Sequence, residues 1–197
     1  MKAALVGCLG VVVLVVFAVG AMAVSSYNRL VDLDEGVEAA WAQVENVYQR
    51  RADLIPNLVA TVKGAADFEQ ETLNQVVEAR AQVGQVKLDG PPSASQLQSF
   101  QEAQQGLTSA LSRLLVVVER YPELKATQAF RDLQAQLEGA ENRIAVERKR
   151  YNDTARDFNA ARRRFPTSLI AGWFGFDEPK VYFEAEEGSE QVPEVEF

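Results

Sequence analysis

The residues able to do chemistry are few, and one absence limits them most: the 197-residue chain has no histidine. That removes Ser-His-Asp and Cys-His catalysis, histidine-ligated zinc, the carboxylate-histidine di-iron sites of helix bundles and any histidine pH switch. The single cysteine, Cys8, lies in an apolar run, so neither a disulfide within the chain nor a cysteine-only metal site can form. What remains are carboxylates at helical spacing, Glu35 with Glu38 and Glu138 with Glu141. Such pairs can act as acid and base or hold a hard cation, but with no third ligand, loop or histidine they read as solvated helix faces. No motif singles out a Ser/Lys dyad, and Gly172 and Gly175 lie in an aromatic segment that opens no nucleotide-binding unit. The expectation is a protein that is not an enzyme and carries no catalytic, cofactor or metal residues.

Contact chemistry is better represented. Arg162, Arg163 and Arg164 are followed closely by Leu169, Ile170, Trp173, Phe174 and Phe176. Cations beside anionic head groups and aromatics at a membrane boundary are both favourable, so these eight are candidates for membrane contact. The alternative packs the aromatics on the protein itself. A net charge of −8 argues against nucleic acid as a partner.

The elements that must position these residues begin with an uncharged apolar run, 3–24. At about 1.5 Å per residue it would reach roughly 33 Å as a helix, enough to cross a bilayer core. A cleaved signal peptide is the rival reading, with Ala21-Met22-Ala23 as the cleavage site, but the run exceeds the usual apolar length and has only Lys2 as its charged leader. Lys2 before the run, and Asp32, Asp34, Glu35 and Glu38 against Arg29 after it, place the N-terminus inside and the following domain outside. The expectation is a membrane crossed once.

Downstream the periodicity is helical. Leu30, Leu33, Val37, Ala40, Val44, Val47, Arg51, Leu54 and Leu58 step by three and four along one seam, flanked by Trp41 and Tyr48. A second helix covers Phe68 to Val83, and Gly90-Pro91-Pro92 breaks the chain inside 84–95. Ser95 is a cap for the third helix, which Tyr121-Pro122 stops. Thr127 caps the fourth, whose seam runs from Phe130 through Leu137, Ile144, Glu147, Tyr151 and Phe158 to Phe165, ending at Pro166. The class is therefore all-α: a transmembrane helix (1–24), an up-down-up-down four-helix bundle with two long helices (25–166), an aromatic juxtamembrane segment (167–183) and an acidic disordered tail (184–197). Pro56 should kink the first long helix by removing the bond to the Ala52 carbonyl. Arg51 and Glu147 both fall on seams, where they either pair across the bundle or reach out to the surface.

The order and spacing of YNRLVDLDEGVEAAWAQVE, RRADLIPNLVATVKG, LSRLLVVVERYPELKA, ENRIAVERKRYNDTARDFN and FPTSLIAGWFGF after an apolar run resemble the LemA family of bacterial membrane proteins over essentially the whole chain. The resemblance implies an uncleaved N-terminal helix and a helical bundle outside the cytoplasm, and it supplies no reaction, cofactor or catalytic residue. Its matching positions are Arg50, Arg51, Asp53, Leu54, Pro56, Asn57 and Leu58, then Glu141, Asn142, Ile144, Tyr151 and Asn152. They read as bundle-specifying positions rather than an active site.

From Asp177 onward eight acids face one lysine, so the tail carries most of the net charge and should be extended or disordered. Two functions fit these elements. One is a membrane-anchored scaffold that self-associates through its long helices and organises or shapes the lipid bilayer. The other is an adaptor or accessory subunit of another membrane protein, such as a protease or transporter.

Overall fold

The structure, a computed structural model, describes residues 2–64 and 68–184. Among the described residues there are six helices and no strand. The acidic tail from residue 185 onward lies outside the described residues.

Between Val24 and Leu30 the sequence has neither glycine nor proline, so nothing interrupts the backbone ladder. Apolar run and first bundle helix are accordingly one helix, α1 (Lys2–Lys63, 62 residues). The boundary expected at 24–25 marks a change of surroundings rather than of secondary structure. Val11 to Phe17 are exposed on every side, whereas Leu30, Val37, Ala40, Val44 and Val47 are buried on one.

The second helix, α2 (Gln70–Gln85), starts two residues later than Phe68, which stays outside and sets its ring 5.0 Å from that of Tyr121. In the connection Gly90 takes φ 100, a conformation that side chains disfavour. The third, α3 (Ala94–Val118), is capped by Ser93 and not by Ser95. Ser93 Oγ accepts from Gln96 N while the Gln96 side chain accepts from Ser93 N at 2.9 Å, a reciprocal capping box. Gln98, which would play that part for Ser95, donates instead to Glu102. A single turn, α4 (Pro122–Lys125), leads to α5 (Gln128–Arg163), where Thr127 accepts from Phe130 N as expected. After Pro166 comes α6 (Thr167–Phe174), ended by Gly175 at φ 81, which lets Phe176 N donate to the Ala171 carbonyl.

Contacts give the directions. Arg51 meets Glu141 and Trp41 meets Tyr151, so α5 runs against α1; Phe100 meets Trp41, and Gln104 meets Arg51, so α3 runs with it. Two apolar cores result. The one nearer the apolar run joins Leu30, Val37, Trp41, Tyr48, Phe100, Tyr151, Phe158 and Phe183. The farther one joins Ile55, Leu58, Val62, Leu73, Val76, Leu107, Leu114, Phe130 and Leu137. A polar layer around Arg51 separates them.

Candidate membrane-contact surface

The chain leaves α5 through Arg162, Arg163 and Arg164 and turns at once into α6, so one short connection brings the basic and aromatic groups together. Thr167, Ile170 and Ala171 form the inner face of α6 and are buried against α1 and α5. The spacing that buries these three turns Leu169 and Trp173, four residues apart, to the opposite side. Trp173 is 80% exposed and Leu169 56%, and Phe165 just before the helix reaches 81%. The expected aromatic cluster is thus divided. Ile170 packs on the protein, which excludes it from lipid contact, and Phe176 is half-buried beside Phe158. Phe174 is 57% exposed, with its ring 4.9 Å from Tyr27 on α1, three residues past the uncharged run.

The arginines divide similarly. Arg162 is half-buried and donates to the Asp177 carbonyl; Arg163 and Arg164 are exposed and make no ion pair among the described residues.

From Asp177 the chain turns back along α5 as an extended strap that ends, for the described residues, at Glu184. The Asn159 carboxamide donates to the Lys180 carbonyl (2.7 Å) and accepts from its N–H (2.9 Å). Asn152 holds Phe183 in the same two-bond manner, each at 2.9 Å. Lys180 Nζ reaches Asp34 at 2.6 Å. Phe183 stacks on Trp41, meets Tyr151 edge-on, and carries the Arg148 guanidinium 4.8 Å from its centroid. The acidic segment from Asp177 is therefore extended and tied to α5 as far as residue 184, the extended one of the two alternatives expected for it. Extension was foreseen; two carboxamides that satisfy its backbone were not.

The bundle-specifying candidates separate by burial. Arg51 is 1% exposed. Its Nη1 donates to Glu141 (2.6 Å) and Thr108 (3.1 Å), and its Nη2 to the Gln104 side-chain oxygen. It neither pairs with Glu147 nor reaches the surface; Glu147 instead faces Arg150 at 3.9 Å. Tyr151 is fully buried with no partner for its hydroxyl, and burial, then Tyr182, pushes its pKa up to about 12. Arg50, Asp53, Asn57 and Asn142 lie on the surface, where Asp53 accepts from Gln49 and the Asn57 carbonyl from Thr61.

Pro56 sits inside α1 and is exposed. The Ala52 carbonyl that it leaves without a donor accepts from Arg80 Nε at 3.0 Å. Sequence reasoning missed Arg80, although an orphaned carbonyl in a buried turn requires some donor. It also missed Asn159, whose signal is its place one heptad after Asn152.

The family model described as the LemA family matches residues 40–197. Magnetosome protein MamQ 2 of Paramagnetospirillum magneticum is 26% identical over 91% of this chain and 73% of its own length. Magnetosome protein MamQ of Magnetospirillum gryphiswaldense is 24% identical over 84% of this chain and 68% of its own. Protein LemA of Metamycoplasma hominis is 24% identical over 73% and 63%.

Proposed function

Since the chain belongs to the LemA family, we propose that it is a non-enzymatic, membrane-anchored scaffold that self-associates and organises or shapes the bilayer. The observation that carries the reading is α1. One unbroken helix takes a fully exposed apolar stretch directly into a buried core, so the folded part is joined to its anchor without a hinge. On this reading 3–24 crosses the bacterial inner membrane once, with the N-terminus cytoplasmic. The remainder is an up-down-up-down four-helix bundle outside, a topology supported by α3 running with α1 and α5 against it. At Pro56 in α1 the donor missing from the Ala52 carbonyl is supplied by Arg80 of α2.

A homo-oligomer held by the two long helices would need apolar surface that they leave uncovered. Ile170, Ala171, Phe176 and Phe183 pack on the apolar faces of those helices within one chain. Away from the apolar run and the region of α6, the large exposed apolar side chains among the described residues are scattered: Val77, Val116 and Val146, with Tyr27 and Tyr182. Self-association then belongs to the membrane plane, where the apolar stretch of one copy meets another. Native mass of the full chain in mild detergent and in nanodiscs tests this: homomeric particles are expected, and a strict monomer in both overturns the scaffold. A small species that enlarges only with a co-purified protein would favour the adaptor instead.

A further inference from the structure

We propose that α6 is a second membrane-binding element, whose outer face enters the boundary between head groups and acyl chains beside the α1 span. Its ligand is a lipid surface carrying anionic head groups. The proposal rests on 3–24 crossing the bilayer and names the second place where the same chain touches it.

Position comes first. Phe174 lies against Tyr27, and Ala23 packs on the core that holds Ile170 and Ala171. Helix α6 therefore sits at the level where the uncharged run ends and the first charges begin. The exposed apolar surface of α1 and that of α6 are continuous in height, and a bilayer that covers one reaches the other.

Chemistry comes second. Phe165, Leu169 and Trp173 are large apolar side chains turned away from the protein, while the inner face of the same helix is buried. An amphipathic helix of this kind lies in the interfacial plane, where an indole keeps its N–H wet and its ring in an apolar environment. Arg163 and Arg164 adjoin that face without ion-pair partners among the described residues, whereas Arg162 is already engaged with Asp177. Two cations free at this level suit anionic head groups.

Rigidity comes third. Thr167, Ile170 and Ala171 hold α6 from inside, and on its far side the strap is tied by Asn159 and Asn152. The outer face is thus a fixed feature of the fold, and two contacts on one rigid body set the angle at which the bundle stands on the membrane.

The test uses the full chain in vesicles with acyl chains brominated at shallow or deep positions, which quench tryptophan by contact. The emission of the full chain less that of its Trp173→Phe variant isolates Trp173 from the buried Trp41, and the exposure of Trp173 makes that change tolerable to the fold; an unchanged thermal melt checks it. The expected result is loss of the Trp173 emission, greater with shallow than with deep bromines. In phosphatidylglycerol vesicles, but not in phosphatidylcholine, Arg163→Gln with Arg164→Gln should weaken that quenching, as should added salt. Flotation reports the anchor separately. A chain that floats with its vesicles while Trp173 stays unquenched overturns the α6 contact and leaves the anchor standing. A chain that does not float overturns both. Quenching equal in the two lipids and indifferent to the arginine changes overturns the choice of anionic head groups.

Discussion

Arg80 and Pro56 make a pair whose energetic coupling can be worked out before it is measured. Proline at 56 removes the N–H that would bind the Ala52 carbonyl, in a residue 7% exposed, and Arg80 Nε fills the gap from α2 at 3.0 Å. Replacing Arg80 with Leu keeps an apolar stem and leaves that carbonyl without a partner, at a cost of about 1–3 kcal/mol. In a chain of this size that is a fall of roughly 2–4 °C in Tm per kcal/mol. Pro56→Ala restores an N–H one turn along the helix, so in its background Arg80→Leu should cost much less. The expected coupling is about 1–2 kcal/mol, read from urea unfolding of the four proteins by circular dichroism. Additivity within about 0.3–0.5 kcal/mol would show that Arg80 does not serve the carbonyl freed by Pro56.

Tyr151 offers a second measurement. Its buried hydroxyl has no partner, so Tyr151→Phe should leave stability unchanged or raise it by about 1 kcal/mol near neutral pH. Because burial raises its pKa from 10.0 to about 12, the stability due to the neutral phenol is present below pH 10 and lost as pH rises through 12. The gap between Tyr151→Phe and the parent should widen by about 2 kcal/mol over that interval, and a constant gap in urea titrations would refute the assignment. Orientation is tested with Ser95→Cys, at an exposed position on α3, in a Cys8→Ser chain. A membrane-impermeant thiol reagent should label it in intact cells with a permeable outer envelope; protection until the inner membrane is lysed would reverse the topology.

The helices were legible because their signals are local and repeated. A seam of apolar residues three and four apart locates α3 and α5 to within a few residues, and Thr127 caps where a threonine before an apolar run should. Ser93 and Ser95 are each followed three residues on by glutamine, so the sequence offers two capping boxes and only the engagement of Gln98 with Glu102 separates them. The end of the apolar run was read as the end of a helix because hydropathy changes there, but backbone hydrogen bonds do not respond to hydropathy. Contacts between distant segments left less trace. Arg51 is visibly out of place on an apolar seam, yet Glu141, and not Glu147, answers it, since the choice depends on how far α5 has turned when it passes. The strap was least legible. Its acidic composition points to solvent, and its anchoring rests on Lys180, Phe183 and the two asparagines of another helix.

Those asparagines explain how the ends of the fold keep their level. Seven residues of helix rise about 10.5 Å, and three residues of extended chain cover about 10 Å, so carboxamides one heptad apart on α5 match backbone groups three apart on the strap. The match holds in one register only. Antiparallel helices with heptad seams are otherwise free to slide by a full repeat while keeping apolar residues against apolar residues. A slip of α5 along α1 by one heptad would part Arg51 from Glu141, leave a buried guanidinium without its counter-charge, and separate Lys180 from Asp34. It would also carry α6 about 10 Å from Tyr27. Polar groups buried between the two cores contribute little net stability as pairs, but leaving them unpaired costs several kcal/mol. That difference fixes the register, and with it the height of α6 beside the point where the apolar stretch of α1 ends.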